Sequence, residues 1–170
     1  MRPIILIGYM GAGKSTVGKL LAKQQKLLFH DTDAMIEKEQ KRTISDIFAK
    51  DGEQAFRDME TALIRRLIGE GMSDAVLSVG GGLPVREENR ELLKELGTVV
   101  YLMADKETVV KRVQGSNNRP LLLGENLDEK VERMLVERDP LYRVAADILI
   151  DTNGKPVEYL AKEIAQAVKK

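Results

Sequence analysis

The sequence predicts an α/β fold in which five parallel strands are flanked by helices. Short apolar runs rich in Ile, Val and Leu alternate with helical patterns, which is the rhythm of βαβ units. Between them, apolar residues recur at spacings of three and four, marking helices with one face turned to a sheet. A glycine-rich stretch also joins the first apolar run directly to the first helical pattern, where a βα turn belongs. At 170 residues the chain falls within the size of one compact domain. Its 43% hydrophobic and 32% charged residues exclude collagen-like, disordered and membrane compositions.

Taken in order, the expected strands cover 4–7, 27–30, 75–79, 99–103 and 147–150. Val17, Leu20 and Leu21 mark the first helix face, and Phe56, Met59, Leu63 and Leu67 mark another on a helix that begins near Gly52. Leu127, Val131, Met134 and Leu135 form a third face. Val157, Leu160, Ala161, Ile164 and Val168 form the last. The stretch 114–126, with Gly115, Pro120 and Gly124, has neither periodicity and reads as a mobile loop. No repeat or low-complexity linker divides the chain, so a single domain is expected. The mostly helical segment 34–68 is the natural place for an insertion.

The glycine-rich turn reads GYMGAGKS from Gly8 to Ser15. GxxxxGK[ST] places glycine where a loop wraps phosphates so closely that a β-carbon would clash. Gly8, Gly11 and Gly13 supply that freedom, and backbone N–H groups across Gly11, Ala12, Gly13, Lys14, Ser15 and Thr16 are expected to converge on ATP. Lys14 would reach the outer phosphates and the Ser15 hydroxyl would ligate Mg²⁺. This chemistry is phosphoryl transfer. A nucleotide-dependent switch shares the cradle, but the chain has no NKxD segment for guanine. The nearest string is Asn153-Gly154-Lys155-Pro156, and no DxxG ends the third strand.

After the second strand comes Asp31-Thr32-Asp33. In extended backbone, residues two apart project to one side, so two carboxylates would face one cleft; a helix N-cap is the alternative. Gly80-Gly81-Gly82 follows the third strand and lets a ligand touch the main chain. Arg57 and Glu60 share a helix face. His30, the single histidine, ends a strand and is required by no motif, while Tyr142 is read as support for a helix end.

With 27 basic and 27 acidic residues the chain has no global field for nucleic acid or an anionic membrane. It has no cysteine, which excludes disulfides, thiolate zinc sites and a cysteine nucleophile and suits a reducing cytoplasm. No membrane-length apolar run and no heptad pattern occur, so a soluble monomer is expected.

The set GYMGAGKST, DTD, DGEQAFRDME, SVGGG, RPLL and ERDPLYR, in that order, closely resembles the shikimate kinases over nearly the whole chain. The resemblance implies the fold of the nucleoside monophosphate kinases, with strand order 2-3-1-4-5, a substrate-binding helical segment at about 34–68 and a lid at about 114–126. It implies the reaction of ATP with shikimate to give ADP and shikimate 3-phosphate, on the way to chorismate and the aromatic amino acids. Asp33 would bind the acceptor's hydroxyls, and Arg57, Gly80, Gly81, Gly82 and Arg138 its ring and carboxylate, with Glu60 orienting Arg57. Arg119 would come from the lid to the transferring phosphoryl group. Arg112 would lie against adenine, with 152–156, including Asn153, on its other side. Asp31, with Ser78 through water, would complete the Mg²⁺ shell. Gluconate and nucleoside monophosphates are the alternative acceptors.

Overall fold

The computed structural model describes residues 1–9, 12–114 and 126–169. Gly11, Arg119 and nearly all of the expected loop 114–126 therefore lie outside the described residues. Strands β1 (Ile4–Ile7), β2 (Leu28–Asp31), β3 (Ala75–Ser78), β4 (Thr98–Met103) and β5 (Ile148–Asp151) form one sheet. Every pairing is parallel and the order is β2-β3-β1-β4-β5.

Two strands start one residue later than periodicity placed them. Leu27 belongs to the end of helix α1 (Lys14–Gln25): Lys26 adopts a left-handed φ of 58° and the Leu27 N–H donates to the Ala22 carbonyl, a helix-terminating pattern. Before β5, the Asp147 carboxylate takes the Val99 N–H at 2.8 Å, so a side chain occupies the first rung of the ladder.

Between β2 and β3 the chain makes α2 (Thr32–Gln40), α3 (Ile44–Asp51) and α4 (Glu53–Gly69). A 3-10 turn (Leu83–Val85) and α5 (Glu87–Leu96) lead into β4, and α6 (Lys106–Gln114) and α7 (Leu127–Ala145) precede β5. Helix α8 (Val157–Val168) closes the fold. Side chains alternate across β1. Ile4 and Leu6 pack with Val17 and Leu21 of α1 and Leu160 and Ile164 of α8. Ile5 and Ile7 join the opposite layer, with Phe56, Leu63 and Ile64 of α4, Leu93 of α5 and Val131 of α7. Ile36 and Ile47, from α2 and α3, belong to that same cluster. Leu21 and Ile64 are both 0% exposed, so truncating either to Ala would cost about 2–5 kcal/mol.

In a parallel sheet all strands finish at one edge. The loop after β1, Asp31 at the end of β2 and the glycines after β3 therefore meet there by topology, at the edge where such sheets bind ligands.

Candidate active site

Gly8 has a φ of +151°, and a β-carbon there would lie 2.7 Å from the Leu102 carbonyl oxygen. Gly13, at φ +90°, immediately precedes α1. That helix has no side-chain cap and no acidic residue in its first turn. Each of the other seven α-helices among the described residues has at least one first-turn acid. The positive end of α1 is thus left to attract an external anion.

Lys14 folds back onto its own loop. Its Nζ donates to the Gly8 carbonyl at 2.6 Å and the Tyr9 carbonyl at 3.3 Å. The Ala12 N–H is likewise engaged, by the Tyr9 carbonyl at 3.0 Å. Thr16 is exposed. On the far side of the loop, Arg112 of α6 places Nη1 3.9 Å from the position a Gly13 β-carbon would take. Thr152, fully buried, ties its loop to β4 by donating to the Met103 carbonyl at 2.7 Å. Asn153 braces the same loop: its Oδ1 accepts the Asp105 N–H at 3.0 Å and its Nδ2 donates to Asp151 at 2.8 Å.

Asp31 serves in two ways. Its Oδ1 accepts the Ala34 N–H at 3.1 Å, capping α2, and its Oδ2 accepts the Ser15 hydroxyl at 3.4 Å. Asp31 and Asp33 are not paired by extended backbone as expected, because α2 begins at Thr32 and Asp33 sits in its first turn. Asp33 nevertheless approaches the glycine loop: its Oδ1 lies 2.7 Å from where a Gly80 β-carbon would be. Thr32, which the sequence reading left without a role, is fully buried and accepts the Gly80 N–H at 3.0 Å. Burial, reinforced by Asp31, pushes the Asp33 carboxyl up to about 6 against the pull of Lys14.

Arg57 is held between two glutamates, by Glu60 Oε1 at 2.8 Å on Nη1 and Glu53 Oε1 at 3.1 Å on Nη2. Its guanidinium lies against Gly82, where a β-carbon would come within 2.6 Å of Cζ. Glu60 is fully buried, and its Oε2 makes no hydrogen bond among the described residues and lies 3.2 Å from the Gly80 β-carbon position. Burial outweighs the Arg57 ion pair and pushes this carboxyl up to about 7. Arg86 braces the arrangement by donating to Thr61 Oγ1 at 2.9 Å and pairing with Asp58 at 3.1 Å. Thr61 in turn donates to the buried Asn89 at 2.7 Å.

Arg138 of α7 places Nη1 3.3 Å from the Gly81 β-carbon position and its guanidinium 5.9 Å from the centre of the Tyr9 ring. Arg57, Gly82 and Arg138 line one cleft of about 680 Å³, together with Glu53, Arg86 and Glu137. Asp33 and Gly80 do not line it and adjoin it through the glycine run. Tyr142, read from sequence as support for a helix end, donates its hydroxyl to the Gly81 carbonyl at 2.6 Å. Its spacing of four from Arg138 was the available signal. Arg86, Thr61 and Asn89 offered none.

Sheet order, phosphate loop and flanking cleft define a P-loop phosphotransferase of the nucleoside monophosphate kinase-like fold. A family model described as shikimate kinase matches residues 10–169. The chain belongs to the shikimate kinase family. It is 44% identical over 166 residues to the shikimate kinase of Pseudomonas putida strain F1, covering 98% of this chain and 95% of that one. The shikimate kinase of Acinetobacter baumannii, solved in complex with shikimate, matches with a TM-score of 0.93 and 41% identity over 99% of this chain and 93% of that one. The Aquifex aeolicus shikimate kinase matches with a TM-score of 0.84 and 36% identity, covering 98% and 96% respectively.

Proposed function

We propose that the protein transfers a phosphoryl group from Mg·ATP to shikimate, giving ADP and shikimate 3-phosphate on the way to chorismate and the aromatic amino acids. One observation carries this reading. Two arginines, Arg57 and Arg138, line a single cleft with Gly82, at the sheet edge that also bears the Lys14 loop. Planar guanidinium forks match a carboxylate in two-point fashion, as a small carboxylated acceptor requires.

In this reading Asp33 accepts hydrogen bonds from the acceptor's hydroxyls, in its ionised form, and takes the proton of the attacking one. Gly80, Gly81 and Gly82 admit the ring against the main chain. Lys14 exchanges its carbonyl partners for phosphate oxygens, and the first turn of α1 from Gly13 to Thr16 receives the rest of their charge. Gly11 and Ala12 complete the loop around them. Arg112 and the loop bearing Asn153 flank the base. Arg119 acts from a lid at about 114–126, and 34–68 is the acceptor-binding segment of one domain. Ser15 Oγ and Asp31 Oδ2, 3.4 Å apart, are hard oxygen donors of the kind Mg²⁺ takes, leaving its other positions to phosphates and water. The ion would supply charge neutralisation at the phosphates. We place the enzyme in the cytoplasm as a monomer. The absence of cysteine supports the compartment, and sedimentation at the mass of one 19.0 kDa chain tests the assembly.

The test is ADP release with shikimate, gluconate and nucleoside monophosphates in parallel, with the product identified by mass. Turnover with shikimate far above the others is the expected result. Preference for another acceptor overturns the substrate, and hydrolysis without any acceptor overturns the kinase reading.

A further inference from the structure

Helix α7 carries both Arg138 and, one turn later, Tyr142, with Pro140 between them. Proline has no N–H, so the rung that would bind the Val136 carbonyl is missing and the helix is weakened at this point. Two phenols bracket the gap. Before it, Tyr101 of β4 donates to Asp139 Oδ1 at 2.7 Å. After it, the Tyr142 hydroxyl donates to the Gly81 carbonyl at 2.6 Å. The two rings pack against each other, with centroids 5.1 Å apart.

The Tyr142 ring is fully buried, and the positive charge of Arg138 lies near its hydroxyl. Burial pushes the phenol up to about 12, partly offset by the Arg138 charge, so it stays a donor throughout the working range. The hydroxyl therefore ties α7, one turn beyond the guanidinium, to the middle of the glycine run. The Arg138 Nη1 and the Tyr142 hydroxyl lie 3.3 and 3.6 Å from the Gly81 β-carbon position, on the same side of the main chain.

We propose that Tyr142 is a positioning residue for the acceptor. Its hydroxyl fixes the separation between Arg138 and the Gly81 main chain, and so shapes the cleft for the acceptor's carboxylate and ring together. The inference rests on the functional reading above, because it needs Arg138 to meet the acceptor. Tyr142 touches neither reacting group. It acts through Arg138 and Gly81, so its loss should weaken acceptor binding and leave the nucleotide side alone.

Tyr142→Phe keeps the ring and removes the hydroxyl. Tyr101→Phe is the control, since it breaks a phenol bond to α7 that does not reach Gly81. Steady-state constants for acceptor and ATP, with thermal midpoints, are measured for both variants and the wild type. Tyr142→Phe should raise the acceptor KM about three- to tenfold, with ATP KM and kcat nearly unchanged. Tyr101→Phe should leave the acceptor KM alone even if its midpoint falls as far. The inference is overturned by an unchanged acceptor KM in Tyr142→Phe, by acceptor and ATP constants rising together, or by an equal rise in Tyr101→Phe. Wild-type turnover of shikimate bears on the functional reading alone. If the wild type prefers another carboxylated acceptor, the same variant-to-wild-type ratio is read with that compound.

Discussion

Gly82 and Arg57 form a contact in which a missing side chain is the working feature. Any β-carbon at Gly82 would collide with the guanidinium, so Gly82→Ala should displace Arg57 from the cleft. The expected result is a loss in acceptor kcat/KM of at least about tenfold with ATP binding retained, read by titrating each substrate separately. Arg57→Lys keeps the charge and loses the fork, at a cost on the order of 1.5–3 kcal/mol, again on the acceptor alone. The two carboxyls at Gly80 give pH signatures. Asp33, at about 6, must be ionised to accept a hydroxyl proton, so acceptor kcat/KM should climb from about pH 5 and level off by about pH 7.5. For Glu60 the folded value of about 7 exceeds the ordinary 4.5, so the folded chain holds a proton that the unfolded chain has released between them. That contribution favours folding below 4.5 and is lost as the pH rises to about 7, a difference on the order of 3 kcal/mol. Glu60→Gln should flatten the fall in thermal midpoint across this window, and a midpoint with undiminished pH dependence would assign the effect elsewhere. The arginines and glycines were legible in the sequence because each belongs to a short motif. Thr32, Arg86, Thr61 and Asn89 were not, since they act on main-chain or buried groups that only the assembled fold brings near.

At the scale of elements, the first turn of α1 differs from every other described α-helix start in lacking an acid. A capped or acid-bearing start would neutralise the site it offers to phosphates. Lys14 makes the same loop self-supporting when empty, through the Gly8 and Tyr9 carbonyls. Lys14→Met should therefore abolish turnover and, unlike a purely outward-pointing lysine, lower the thermal midpoint slightly, since about 1 kcal/mol of loop bracing is lost. Calorimetry beside the activity assay separates the two effects. The helix faces at Val17, Phe56, Val131 and Leu160 were readable because burial on one side imposes a period of 3.6 on the sequence. The start of α2 was not. Asp31-Thr32-Asp33 suits extended chain and N-cap equally, and the choice is made by the Ala34 N–H bonding to Asp31. Helices α5 and α6, each under eleven residues, carry too few apolar positions to stand out.

For the whole molecule, the order β2-β3-β1-β4-β5 brings the loop after β1, Asp31 and the glycine run to one sheet edge from segments far apart in the chain. Local periodicity yields the strands and their number, whereas order depends on crossovers and came from the family resemblance. Because both substrates would bind at that edge and none to the unfolded chain, each should stabilise the fold: at about a hundred times its Kd a ligand adds about 2.7 kcal/mol. A thermal shift with ATP and acceptor together that falls below either alone would contradict a shared edge. Tyr9 and Tyr142 lie near Arg138, and Tyr101 packs on Tyr142. The chain has four tyrosines and no tryptophan, and the fourth, Tyr159, is 54% exposed. Near-ultraviolet dichroism, which reports aromatic rings in fixed asymmetric surroundings, should therefore be dominated by three buried rings grouped around the α7 segment that bears Arg138, next to the proposed acceptor cleft. An unlabelled sample titrated with acceptor carries its own optical gauge of occupancy, with no background from indole.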